Sequence, residues 1–156
     1  MTQQDVSMLG LGLERARNAR DVGGHRAADG RTVATGLVFR AESLGRLTPA
    51  DVAALDRLGL INVVDLRGQG EVDALGEDRL PPSVASVHLP IYDPDNDIYR
   101  LMTELIASRD ADRQRAVLGD GGGERIMLGV YRWFVADPAP RDRFGKLLRQ
   151  LAQPGQ

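Results

Sequence analysis

Apolar residues in this chain recur in two rhythms, one suited to helices and the other to short strands. Val52, Leu55 and Leu58 fall at helical spacing behind Thr48-Pro49-Ala50-Asp51. Thr48 has the side chain of an N-cap. Pro49 suits the first helical position, where its missing N–H is not needed, and Asp51 sits at the positive end of the helix dipole. Gly59 stands where a left-handed residue ends a helix. Leu60-Ile61-Asn62-Val63-Val64 follows at once, and a short run apolar on both faces predicts a strand in a parallel sheet. Val84 to Leu89 predicts a second strand after the stop signal Pro81-Pro82. Gly36 introduces Leu37-Val38-Phe39, read as a short buried strand. Asp29-Gly30, between His25-Arg26 and Arg31-Thr32-Val33, has the composition of a tight hairpin turn.

The second half reads as mainly helical. After the acidic stretch Asp93-Pro94-Asp95-Asn96-Asp97, residues Ile98, Leu101, Met102, Leu105 and Ile106 recur at i, i+3, i+4, i+7 and i+8. That spacing predicts an amphipathic helix. Arg109 to Gly123 is polar and ends in a glycine run, which predicts a flexible connection. Ile126 to Val135 reads as another helix, stopped by Asp137-Pro138-Ala139-Pro140. A last helix carries Phe144, Leu147, Leu148 and Leu151 on one stripe and ends at Gln153-Pro154-Gly155-Gln156. Residues Met1 to Ser7 are polar and read as frayed. Strands alternating with helices predict an α/β layered fold with a mostly parallel sheet and flanking helices. The strands are too few for it, since a sheet averages about five to six. The final helix ends in a turn that invites another strand.

Length and composition narrow the classes. The 156 residues suit one domain, and 42% hydrophobic content is enough to build its core. With 20 Lys+Arg against 22 Asp+Glu the formal net charge is -2, which argues against a nucleic-acid partner. There is no cysteine, so these residues offer no disulfide, no thiolate zinc site and no cysteine nucleophile. Leu9, Leu11 and Leu13 are interrupted by Glu14, Arg15 and Arg17, unlike the apolar core of a signal peptide. No segment approaches the ~20 apolar residues of a membrane span. A cytoplasmic location is the expectation. Lys146 is the single lysine; arginine suits phosphate binding, but a GC-rich genome produces the same bias.

Isolated catalytic signals are weak. His25 and His88 are far apart and lack acidic partners at ligand spacing, so no metal site is expected. Gly119 to Gly123 lacks the lysine of a phosphate-binding loop. The stretch from Asp93 to Asp97 lacks the stepped ligands and terminal glutamate of a calcium loop, and Asp95 and Asp97 read as solvated helix caps. No cofactor is expected.

Three patches are left unexplained by periodicity: Asn18-Ala19-Arg20-Asp21-Val22-Gly23-Gly24, Gly36-Leu37-Val38-Phe39-Arg40, and Val64-Asp65-Leu66-Arg67 with Glu71 beyond. Together with Leu47-Thr48, the junction Leu58-Gly59-Leu60 and His88-Leu89-Pro90-Ile91-Tyr92-Asp93, they occur in the order found in a bacterial family of tyrosine phosphatases. The chain resembles the lipid- and dual-specificity-like branch of that family. Met127, Tyr131 and Phe134, and the helix through Leu151, resemble the segment leading to its catalytic loop. The resemblance runs from about Asn18 to Gln156, with residues 1–17 as an N-terminal tail and 18–156 as the N-terminal portion of the phosphatase-like domain.

That resemblance implies an incomplete cysteine-phosphatase-like α/β fold. In the family a strand and the loop His-Cys-X-X-Gly-Lys-Asp-Arg-Thr come next; its thiolate attacks phosphorus and its arginine clamps the phosphate oxygens. The sequence stops at Gln156, where that central catalytic-loop strand is expected. Among residues present, the resemblance places Asp93 as a candidate for leaving-group protonation. It places Arg20, Asp21, Arg40 and Arg67 as candidates for the substrate cleft. Each has a structural alternative: a turn network around Gly23-Gly24 for Arg20 and Asp21, and pairing with Glu42 or Glu71 for Arg40 and Arg67. The implied substrate of the completed enzyme is a phosphorylated protein or a phospholipid. The first expectation is therefore a phosphatase portion inactive by itself. The alternatives are a catalytically dead phospho-ligand-binding or regulatory module, and an interaction domain formed on dimerisation. A missing central strand would also leave an exposed sheet edge open to self-association and make the isolated chain marginally stable.

Overall fold

The computed structural model describes residues 10–92, 100–101, 104–105 and 108–153. Their elements, in chain order, are β1 (Arg20–Asp21), β2 (Phe39–Arg40), α1 (Pro49–Asp56), β3 (Asn62–Asp65), α2 (Gln69–Leu75), β4 (Ala85–His88), α3 (Ala111–Leu118), α4 (Gly122–Ala136) and α5 (Pro138–Leu151). The architecture is mixed α/β, with two small sheets and five helices among the described residues. The chain divides into two compact units, Met1–Val63 with Gly70–Ser86, and Val64–Gln69 with Val87–Gln156.

In the first unit, α1 starts where its capping residues predict. Thr48 Oγ1 accepts from the Asp51 N–H at 3.1 Å, and Asp51 Oδ2 accepts from the Thr48 N–H at 3.1 Å. These reciprocal bonds satisfy two amides that the helix itself cannot. Asp51 has a second task. Its carboxylate also accepts from the N–H groups of Glu14 (2.7 Å) and Arg15 (3.2 Å), so one side chain, 3% exposed, ties the N-terminal segment to the helix start. Burial alone would raise this carboxyl; the amides of Glu14, Thr48 and Arg15 and the Thr48 hydroxyl outweigh it and hold it below its ordinary value. A depressed folded value means that Asp51 stabilises the fold above the unfolded carboxyl value. The contribution is lost as pH falls through the folded value. Replacing Thr48 with alanine removes one bond of the box and is expected to cost about 0.5–2 kcal/mol in urea unfolding. A midpoint unchanged from the parent would contradict the cap.

The core of this unit is Leu13, Ala16, Ala19, Leu44, Leu47 and Leu55, with Leu11, Val52, Leu58 and Val63 packed against it. The sequence reading sets the domain to begin at Asn18; Leu13 and Ala16, before that point, are fully part of this core. Gly59 takes φ 65° as the helix ends. At the Asp29-Gly30 turn, Gly30 has φ 86°, and Ala27 N–H donates to the Arg31 carbonyl at 2.8 Å. β1 and β2 pair antiparallel, with Arg20 opposite Arg40 and Asp21 opposite Phe39. Here one expectation is corrected. Leu37 is 71% exposed and precedes the strand, because a two-residue ribbon pairs only Phe39 and Arg40 and covers neither flank.

β3 and β4 form the other two-stranded sheet. The Ala85 N–H donates to the Ile61 carbonyl at 3.0 Å, and the Leu89 N–H donates to the Asp65 carbonyl at 2.8 Å. The same sequence offset at both positions makes the pairing parallel, as the all-apolar run predicts. The larger sheet expected from the sequence is represented among the described residues by these two separate pairs, one antiparallel and one parallel.

In the second unit, α4 and α5 carry an aromatic cluster. Trp133 stacks on Tyr92 at 5.9 Å, and Phe144 meets Phe134 edge-on at 5.5 Å. Asp137 ends α4 and caps α5, its Oδ1 accepting from the Ala139 N–H at 3.0 Å with Pro138 in the first turn. The described part of the Ile98–Ile106 segment is helical, and Leu105 is buried; Ile98, Met102 and Ile106 lie outside the described residues. The flexible connection expected over 109–123 is corrected. Residues Ala111–Leu118 form α3, with Asp110 Oδ1 accepting from the amides of Asp112 and Arg113 at 3.0 Å each. This helix and α2 fully bury none of their residues, so neither leaves a strong apolar period in the sequence. No helix among the described residues is long and apolar enough to cross a membrane.

Candidate functional site

The candidate residues fall into two groups. In the first unit, β1 and β2 bring Arg20, Asp21 and Arg40 together. Direct antiparallel pairing puts Arg20 and Arg40 on one face of the ribbon, where facing like charges repel. The Arg20 guanidinium donates from Nη1 to the Asn18 carbonyl at 2.9 Å. Arg40 is exposed. The glutamate weighed as its partner is used elsewhere: Glu42 Oε1 accepts from the Asn18 N–H at 3.4 Å, while Asn18 Oδ1 accepts from the Glu42 N–H at 2.8 Å. The ribbon therefore presents two cations and continues into an Asn18–Glu42 clasp.

Asp21 points into its own turn. Its Oδ1 accepts from the Gly23 N–H at 2.7 Å and its Oδ2 from the Gly36 N–H at 2.5 Å. One carboxylate thus closes both ends of the excursion between β1 and β2. Gly23 has no room for a side chain there, because an added Cβ would strike the backbone of Ala34 and Thr35. The motif that reads Asn-X-Arg-Asp-X-Gly-Gly in the sequence is accounted for locally: Asn18 clasps Glu42, Asp21 staples the turn, and Gly23 lets the two backbones approach.

The second group lies beyond β3. Arg67 donates from Nε to Asp65 Oδ1 at 2.8 Å and from Nη2 to Asp65 Oδ2 at 2.7 Å, a bidentate fork. Both side chains are mostly shielded, at 13% and 11% exposure. Burial by itself would raise the Asp65 carboxyl, yet the Arg67 guanidinium and amide, with a smaller contribution from the charge of His88, hold it below the ordinary value. His88, at the end of β4, donates from Nε2 to the Arg67 carbonyl at 2.9 Å. The C-terminal ends of two adjacent parallel strands thus hold an Asp–Arg–His group. In open α/β sheets this is the end where ligands gather. Asp93 lies outside the described residues. Among the described residues, no group of three His, Asp or Glu side chains could hold a metal ion.

One residue that the sequence reading passes over is Arg143 on α5. Its Nη1 donates to the carbonyl of Pro90 at 2.7 Å and also lies 3.3 Å from those of Ile91 and Tyr92. It gathers the carbonyls of the segment that leads to Asp93. Nothing local marks such a contact; only its place on a helix flanked by Phe144 and Leu147 hints at a buried stem. Asp65 is the other omission, since the sequence reading weighs Glu71 as the partner of Arg67.

The model of a tyrosine phosphatase family matches residues 11–156. A triple specificity protein phosphatase, PtpB, of Mycobacterium tuberculosis is 38% identical over 134 residues, covering 78% of this chain and 46% of that protein. A Cupriavidus necator protein that carries a tyrosine-protein phosphatase name is 41% identical over 61 residues, 39% of this chain and 22% of its own length. The chain spans less than half the length of each of these curated relatives.

Proposed function

We propose that this chain, which belongs to the tyrosine phosphatase family, supplies the scaffold and the substrate-facing arginines of a phosphate-monoester hydrolase but not its nucleophile. The observation that carries this reading is a match to the family over residues 11–156 in a sequence with no cysteine. A cysteinyl-phosphate mechanism needs a thiolate to attack phosphorus and release the alcohol or phenol, and then water to release phosphate. These residues offer no thiol. On this reading the thiolate and its phosphate-cradling loop come from outside the 156 residues.

The residues at hand then divide by role. Arg20 and Arg40 attract the phosphorylated substrate, a protein or a phospholipid, because they are paired across the ribbon and neither makes an ion pair among the described residues. Asp21 positions that ribbon through Gly23 and Gly36. Arg67 has two donors committed to Asp65 and so orders the end of β3. Asp93 is proposed as the acid for the leaving oxygen, and Arg143 as the residue that holds the approach to it.

The test is direct. The purified 156-residue chain is expected to hydrolyse p-nitrophenyl phosphate no faster than the buffer does. Turnover that scales with protein concentration would sink the proposed division of labour. Saturable binding of phosphotyrosine without turnover, weakened by Arg40→Ala, would favour a phospho-ligand reader.

A further inference from the structure

The first unit carries a second arginine cluster that the proposed function does not use. Arg15, Arg17 and Arg46 line an open depression of about 610 Å³ together with Glu14, Glu42 and Leu75. All three arginines are exposed. Both glutamates already accept hydrogen bonds, Glu14 from the Thr48 hydroxyl at 3.5 Å and Glu42 from the Asn18 amide. No ion pair joins the three guanidinium groups to either carboxylate among the described residues.

The backbone beneath them is fixed. Leu13, Ala16 and Ala19 on one segment, and Leu44 and Leu47 on the other, are buried in the same core. That burial sets the intervening Arg15, Arg17 and Arg46 outward. Asp51 holds the Arg15 amide, and the Asn18–Glu42 clasp joins the two segments just beyond Arg17. Three guanidinium forks that make no ion pair among the described residues, mounted on a core-anchored frame around a concavity shared with two carboxylates, leave a net positive lining for an oxyanion. Guanidinium suits phosphate oxygens by planar two-donor geometry, and preorganisation lowers the entropic cost of binding. The volume lies within the range of small-molecule sites, and Leu75 provides one apolar wall.

We infer that this depression is an oxyanion-binding site for a small phosphate-bearing solute, separate in its arginines from the Arg20–Arg40 ribbon. The inference does not depend on the proposed hydrolase reading. Isothermal titration of the full 156-residue chain with inorganic phosphate, and in a second arm with pyrophosphate, tests it at constant ionic strength. Saturable binding is expected in both arms, tighter for pyrophosphate because its charge is larger. The double variant Arg17→Ala, Arg46→Ala is expected to weaken it about tenfold or more, since two charge-assisted bonds are lost. Arg57→Ala, an exposed arginine outside the depression, should leave affinity within about twofold of the parent, the scatter expected for a remote site. The lysine pair Arg17→Lys, Arg46→Lys keeps the charge and guards against misfolding; it should fall between parent and alanine variant. Absence of saturable binding would overturn the inference. So would an equal loss in Arg57→Ala, which would mean general charge attraction. Loss on Arg20→Ala and Arg40→Ala with none on Arg17→Ala, Arg46→Ala would also overturn it, while leaving the hydrolase reading standing.

Discussion

Replacing Gly23 with alanine is expected to detach the excursion between β1 and β2 and destabilise the first unit by about 3 kcal/mol, the upper part of the range for overpacking. The obstruction is backbone. A Cβ at this position would strike the Ala34 carbonyl and come within 2.6 Å of Thr35 Cα, and neither can rotate away as a side-chain tip could. Relief requires the 34–36 segment to withdraw. That movement carries Gly36 away from Asp21 Oδ2, and it pulls on the Val22–Val38 and Gly24–Val33 hydrogen bonds, both 2.8 Å. Against a typical total of about 5–15 kcal/mol, such a loss is a large fraction. Denaturant unfolding should show a lower midpoint, and hydrogen exchange should show lost protection at the amides of Val22, Gly24 and Gly36. The anion binding proposed for Arg20 and Arg40 should weaken too, because their facing positions depend on the ribbon. An alanine variant with parental protection at those amides would mean that the turn yields without cost.

What the sequence reveals follows the range of each interaction. The start of α1 is legible because Thr48, Pro49 and Asp51 act within one turn of one another. The reach of Asp51 back to Glu14 and Arg15 is not, since only the folded chain brings those amides to it. Parallel pairing of β3 with β4 is legible from an apolar run that must be covered on both faces. α3 is missed because a helix that buries nothing has no apolar period, although Asp110 and the helix-favouring residues behind it were a usable signal. At the candidate site, the paired glycines already suggest a turn network, and Asp21 makes one. The Asp65 contact of Arg67 escapes the sequence for a different reason. Spacing of four favours contact on a helix, but Arg67 precedes α2, and there the chain folds back so that Asp65, two residues earlier, meets the guanidinium. The role of Arg143 depends on contacts more than fifty residues away in sequence and leaves no local trace.

The Asp65–Arg67 pair makes the other large prediction. Arg67→Ala is expected to cost about 3 kcal/mol near neutral pH, the low end for breaking a shielded pair, because both partners retain some contact with water. The loss comes from the carboxylate left behind, which keeps its desolvation but loses its fork. The pH dependence identifies that cause. In the parent, the Asp65 carboxyl is held below its ordinary value, so the pair stabilises the fold above the unfolded carboxyl value and ceases to do so as pH falls through the folded value. In the variant, burial still penalises the charge, while only the residue 67 amide and His88 support it. The depression shrinks and its contribution shrinks with it. The gap between parent and variant should therefore be widest near neutrality and close as the pH is lowered. Urea unfolding at several pH values measures it. A second substitution separates charge from packing: Asp65→Asn added to Arg67→Ala removes the stranded charge and should recover part of the loss, so that the two changes are strongly non-additive. A deficit equal at acid and neutral pH, with strictly additive single and double variants, would mean that Arg67 acts through its stem alone. The end of β3 would then be ordered by packing.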